Sequence, residues 1–187
     1  MDFEKYKEII EQKETPKRFF HSLCVADSAK ELAEIYGGCD PEKAYLAGLL
    51  HDIMKNVPDD EMMGFFKEYG IELTPVEKGA KKLWHAMAGA EYLKSVLKID
   101  DSEILDAVRY HTTAKPEMSP LCKILYVADF ISADRDYKGV EEIRQCAKED
   151  IDKAVLEGLS FTTCELVGEM KPVHIDTVSA YNYYVLN

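Results

Sequence analysis

Apolar positions recur at helical spacing along almost the whole chain, and no stretch shows the strict alternation of a half-buried strand. Between Ser22 and Tyr36 the apolar stripe is Val25, Ala26, Ala29, Leu32, Ala33 and Tyr36, stopped by Gly37-Gly38. Asp40-Pro41 supplies an N-cap and a first-turn proline for a helix running through Ala44, Ala47 and Leu50 to about Met54. Pro58 and Asp59-Asp60 open a short helix from Glu61 to Tyr69, ended by Gly70. A further helix is expected from about Pro75 towards Leu97, with a break near Trp84, and Asp101 or Ser102 caps one that leads to His111. Thr112 to Pro120 reads as a loop and Leu121 to Ile131 as a helix; Gly139 starts another pair, and Thr177 to Leu186 forms a short terminal helix. The pattern predicts an all-α fold. With no repeat, low-complexity tract or dividing linker, residues 1–187 read as one domain.

Several ionisable residues break the apolar faces of these helices. His21 heads the Val25 stripe, and His51 follows Ala44 and Ala47 on the inward face. His85 aligns with Ala88, Gly89 and Tyr92, His111 with Ile104, Ala107 and Val108, and Asp129 with Cys122, Leu125 and Tyr126. One inward histidine is usually a core residue satisfied by a hydrogen bond, whereas an inward carboxylate costs several kcal/mol unless something neutralises it. Five such groups on five apolar faces share one economical explanation, a cation held in common. Neighbours on a helix normally face different directions. At a helix end, however, His51 and Asp52 can straddle an ion just off the axis. The expected metal set is therefore His21, His51, Asp52 and Asp129.

Bulk properties narrow the function. A formal charge of −12, from 23 basic and 35 acidic residues, opposes binding to nucleic acid, while a few local cations suffice for a small phosphorylated ligand. No apolar run reaches membrane-spanning length, and Met1 to Glu14 lacks the apolar core of a signal peptide. Cys24, Cys39, Cys122, Cys146 and Cys164 are scattered, as expected for reduced thiols in a cytoplasmic protein. A homodimer is compatible with the sequence.

The order H, then H-D, then D resembles the HD-domain phosphohydrolase superfamily, and one branch closely: the YqeK family of symmetrical bis(5′-nucleosyl)-tetraphosphatases. The resemblance is carried by RFFHSLCVADSAKELAEIYG, KAYLAGLLHDIMKN, WHAMAGAEYL, VRYHTT, ILYVADFI and GVEEIR, which span residues 18 to about 155, and by the ending HIDTVSAYN. It implies an HD-domain helical bundle, completed by the C-terminal helix, that hydrolyses diadenosine tetraphosphate to two ADP on an iron-type centre. Two departures from the family pattern stand out: Ala114 stands where glycine is usual after H-T-T, and Ser132-Ala133 stand where Glu-Pro is usual. Other readings of the same site are a nucleotidase or phosphodiesterase for another nucleotide, a di-iron oxygenase, and a catalytically silent nucleotide sensor.

The ligand set holds imidazole and carboxylate but no thiolate, favouring iron, or manganese or cobalt, over structural zinc, with one ion preferred to two. Asp52 is expected to serve as both ligand and general base. His85 and His111 are expected to contact the phosphates, one of them protonating the leaving phosphate, with ligation of a second metal as the alternative. Arg18, Lys55 and Arg135 suit phosphate, and substrate contact is also expected at Asp52 and Asp129. His174, Ile175, Asp176 and Thr177 precede the last helix, where backbone amides and Thr177 suit an adenine or ribose edge; capping by Asp176 or Thr177 is the alternative.

Overall fold

A computed structural model describes residues 2–187. Among these it contains helices and connecting turns only, as the periodicity predicts: α1 (Phe3–Lys13), α2 (Pro16–Tyr36), α3 (Pro41–Leu50), α4 (Asp59–Glu68), α5 (Pro75–Gly79), a 3-10 turn at Lys81–Leu83, α6 (Trp84–Ser95), α7 (Ser102–Tyr110), α8 (Pro120–Ile131), α9 (Val140–Glu149), α10 (Ile151–Gly168) and α11 (Ile175–Leu186). None is long and apolar enough to cross a membrane.

Helix starts follow ordinary capping chemistry. Thr15, Asp40, Thr74 and Ser119 each accept a backbone N–H from the first turn, and a proline follows each of them. The Thr15 cap places the start of α2 at Pro16, ahead of the Ser22 expected from the apolar stripe alone. Helix α1 had no sequence signal beyond alternating charge; it buries only Ile10 fully and lies against α2 and α3.

The second correction concerns the end of α3. Regular helix stops at Leu50, not Met54, and residues 51–56 form turns with Ile53 N–H donating to Leu50 O and Lys55 N–H to Asp52 O. These tighter bonds span three residues instead of four. They bring His51 and Asp52 around to one side, as an ion off the helix end requires.

Helices α2, α3, α7 and α8 surround the core, with α6 packed on α7. The core is Val25, Ala29 and Leu32 from α2, Leu49 and Leu50 from α3, Ile104 and Val108 from α7, and Leu121, Leu125 and Tyr126 from α8. The tightest contact is α2 on α3. A methyl group added at Gly48 would sit 2.7 Å from the Cα of Ala26, so the two backbones touch where any side chain would part them. Helices α9 and α10 cover the outer side of α8, and α11 returns along α10.

Ala114 is buried with a positive φ of 56°, and its N–H donates to the carbonyl of Tyr110. This left-handed closure beyond a helix end is where glycine is ordinarily placed. The glycine that the resemblance leads one to expect there therefore has a conformational reason, and alanine adopts the same turn while adding a methyl group to the core.

Candidate metal centre

The ends of α3 and α7, the inner face of α6, and α2 and α8 converge on one cluster. His21, His51, Asp52, His85 and His111 are all buried, and the Asp129 side chain is 20% exposed. The five inward residues predicted from the periodicity are thus brought together. Two sets of donor atoms each fall within 4.8 Å of one another: His21, His51 and Asp129, and His51, Asp52 and His111.

The rings are oriented through their second nitrogens. His51 Nδ1–H donates to Gly48 O at 2.7 Å, and His111 Nδ1–H donates to Val108 O at 2.7 Å. His21 Nδ1–H donates to Asp134 Oδ2 at 2.8 Å. For His51 and His111 the bond to a carbonyl leaves Nε2 as a lone pair facing the cluster, whereas His21 lies between two carboxylates and its bond to Asp129 raises its pKa against burial. His21 Nε2 lies 3.0 Å from Asp129 Oδ1, and His51 Nε2 lies 3.5 Å from Asp52 Oδ2. Lone pairs turned towards carboxylate oxygens repel unless a proton or a cation sits between them.

Electrostatics favour the cation. Burial pushes the pKa of His51 down to about 4, so that ring is neutral at physiological pH. Burial alone would raise Asp52, but the imidazoles of His51, His111 and His85 hold it well below the usual carboxylate range. Asp129 is held low in the same manner, against its burial, by His21, His51 and Arg135. His51 Nε2 and Asp52 Oδ1 are fully buried with no hydrogen-bond partner, although Asp52 Oδ1 comes within 3.0 Å of His85 Nε2. Such orphans cost about 1–3 kcal/mol each, and more for a charged group. A divalent ion supplies the missing partner, and neutral imidazole with ionised carboxylate is the donor set it needs. The residues present fit a metal.

The three predicted cations ring this cluster. Arg18 Nη1 donates to Asp52 Oδ2 at 2.7 Å, and Arg135 Nε donates to the Asp129 carbonyl at 2.7 Å while its Nη2 pairs with the Asp129 carboxylate. Lys55 Nζ lies 3.1 Å from His85 Nε2, and burial lowers its pKa. His85 Nε2 in turn lies 3.1 Å from His111 Nε2.

The C-terminal quartet sits differently. His174 itself caps α11, its Nδ1 accepting the Asp176 N–H at 3.2 Å, which replaces the expected capping by Asp176 or Thr177. His174 Nε2 faces Glu77 Oε1 at 3.3 Å, and the Thr177 hydroxyl donates to Thr113 O at 2.9 Å. Ile175 is 67% exposed. These bonds tie the start of α11 to the loop after His111, and through Glu77 to Trp84, whose Nε1–H donates to the Glu77 carbonyl at 2.7 Å. None of them goes to a metal donor.

Two supporting residues escaped the sequence reading. Asp134 orients His21, and the buried Ser132 Oγ–H donates to Asp134 Oδ1 at 2.8 Å. Ser132 belongs to one of the two departures from the family pattern, and here it steadies a carboxylate behind a predicted ligand. Both lie in the loop after α8, where no periodicity marks a face.

Comparison with known proteins agrees with this geometry. Residues 18–134 match the HD domain family. The symmetrical bis(5′-nucleosyl)-tetraphosphatase of Bacillus subtilis (strain 168) is 35% identical over 176 residues, covering 94% of each chain. The protein of the same description from Halalkalibacterium halodurans is 36% identical over 172 residues, covering 92% of this chain and 91% of its own. A crystal structure from Clostridium acetobutylicum, described as a predicted HD superfamily hydrolase involved in NAD metabolism, superposes with a TM-score of 0.95 at 37% identity, covering 100% of this chain and 98% of that one. Clustered histidines and aspartates in the order H, H-D, D, on a fold shared along its whole length, place this chain in the HD-domain family, within the group that includes these two tetraphosphatases.

Proposed function

We propose that this protein hydrolyses diadenosine tetraphosphate symmetrically, using one water to give two ADP, at a divalent-metal centre held by His21, His51, Asp52 and Asp129. The observation that carries the reading is the pair of buried, unpartnered atoms, His51 Nε2 and Asp52 Oδ1, inside a ring of cations suited to phosphate. The near full-length relatives described as symmetrical tetraphosphatases supply the substrate. Iron is the favoured ion, with manganese and cobalt as alternatives.

When bound, the ion contributes Lewis acidity towards a phosphoryl oxygen and makes hydroxide accessible near neutral pH. Asp52, kept ionised by its imidazole neighbours, accepts the proton from the attacking water. Attack at one inner phosphorus breaks its bond to the central bridging oxygen, which leaves as part of the second ADP. Arg18, Lys55 and Arg135 offset the charge that spreads over the phosphoryl oxygens, and His85 and His111 lie beside the phosphates, one of them protonating the departing oxygen. His174 to Thr177 form the wall against which a nucleoside edge rests.

The test is turnover of diadenosine tetraphosphate by purified protein loaded in turn with iron, manganese and cobalt. ADP as sole nucleotide product is expected. ATP plus AMP, or phosphate release from mononucleotides with the dinucleotide left intact, would overturn the proposal.

A further inference from the structure

The stretch GVEEIR, prominent in the sequence but unused by the chemistry above, ends in Arg144 on α9. Its guanidinium reaches back to the end of α8 and donates to three carbonyls: Nε to Ile131 O at 2.9 Å, and Nη2 to Ser132 O at 2.8 Å and to Arg135 O at 2.9 Å. Its Nη1 pairs with Glu141 one turn earlier on the same helix. The last carbonyls of a helix have no partner within it, and one planar fork here satisfies the final carbonyl of α8 together with two in the loop that follows.

That loop is the one that holds the ligands in place. Between Ile131 and Arg135 lie Ser132 and Asp134, and Asp134 accepts the Nδ1–H of His21. Arg135 itself pairs with Asp129 through both the main-chain carbonyl and the carboxylate. A shift in this loop would therefore move the supports of His21 and Asp129 together. Asp134 holds His21, and Arg135 holds Asp129 with its Nη2 also 3.5 Å from His21 Nε2, whereas Arg144 grips the backbone that carries both.

We propose that Arg144 is a positioning residue of the metal centre, fixing the Ile131–Arg135 loop so that Asp134 and Arg135 hold His21 and Asp129 in ligating orientation. It touches neither metal nor substrate. The inference rests on the reading of the cluster as a divalent-ion site.

The experiment is calorimetric titration of metal-free protein with Mn²⁺ alone, comparing wild type, Arg144→Met, Asp134→Asn and the double variant, each well below its melting temperature and with helical content checked. Loss of a group that orients a metal ligand typically lowers affinity by about 10–100-fold. Each single variant is expected to lose that much, and the double variant no more than about threefold beyond the worse single one, since both act through one loop. Arg144→Lys keeps the charge but offers one nitrogen in place of the fork; it is expected to stay close to Arg144→Met, and it carries the same comparison if the methionine variant does not fold. Wild-type affinity in Arg144→Met, full recovery in Arg144→Lys, or losses that multiply in the double variant would each overturn the proposal. Failure of wild type to bind Mn²⁺, Fe²⁺ or Co²⁺ would instead bring down the metal reading, and this inference with it.

Discussion

Arg18 and Asp52, on consecutive long-range partners α2 and the end of α3, meet at 2.7 Å through Nη1 and Oδ2, which leaves Oδ1 of the carboxylate turned towards His85 and His111. The aspartate is thereby pinned by a guanidinium on one oxygen and faces imidazole nitrogens with the other. That arrangement suits a residue that must hold an ion and receive a proton.

Asp52→Ala removes both roles. Turnover of diadenosine tetraphosphate is expected to fall by about 10³-fold or more, combining lost general-base catalysis with a weakened metal centre. Circular dichroism should show unchanged helical content, because the residue closes no helix and caps none. Activity within about tenfold of wild type would remove Asp52 from the chemistry.

Metal loading should be visible as stability. An ion that binds only the folded state adds about 2.7 kcal/mol at 100 times its dissociation constant. For a chain of this length that is roughly 5–10 °C in melting temperature. The rise should appear on adding Mn²⁺ to chelator-treated wild type and be absent in His51→Ala, as differential scanning fluorimetry would show.

How much of this was legible in the sequence follows from where each residue sits. His21, His85, His111 and Asp129 lie on regular helix or at its end, so an apolar stripe with a charged intruder announces them. Asp134 and Ser132 lie in an irregular loop, where neighbouring positions imply nothing about direction. Helix α1 was invisible because lysine and glutamate dominate it and only Ile10 is fully buried. The end of α3 was overrun because His51 keeps helical dihedrals, φ −58° and ψ −35°, while its successors shift to tighter turns. Glycine is a poor helix former, and the close approach of Ala26 that requires it at position 48 belongs to tertiary packing, which no local pattern carries.

Gly48→Ala tests that contact. Its new methyl would meet the backbone of α2, which has no rotamer to yield, so the cost should reach the upper end of the overpacking range, about 3 kcal/mol. Because the Gly48 carbonyl also receives His51 Nδ1–H, metal affinity should fall alongside stability. Urea unfolding and Mn²⁺ titration measure the two effects; a stable variant with native affinity would refute the packing argument.

A pH signature is expected from Glu14, which is 7% exposed and receives the Ser22 hydroxyl at 2.9 Å. Burial pushes its pKa from 4.5 up to about 7. Between those values the folded protein keeps a proton that the unfolded chain has already released, so this residue's contribution makes stability fall as pH rises through the window. The full difference is on the order of 3 kcal/mol. Glu14→Gln, neutral throughout, should lose this component and gain stability relative to wild type at pH 8, as urea titrations at pH 5 and pH 8 would reveal. Parallel pH dependence in both proteins would exclude it.

The bonds made by Nδ1 in His21, His51 and His111 have a consequence for how protons travel. A histidine with a fixed ring can take and release a proton at one nitrogen, but passing it through the ring means taking it on one nitrogen and releasing it from the other, or swinging the ring between partners. Three of the four clustered rings are tethered at the back, to Asp134, Gly48 and Val108, so they can exchange a proton only in place, at Nε2. His85 has no such tether: Lys55 faces its ring, 3.4 Å from Nδ1 and 3.1 Å from Nε2. Passage of a proton through a ring towards the departing ADP would then fall to His85, beside the Lys55 ammonium group, while His111 would give up a proton only from Nε2, in place.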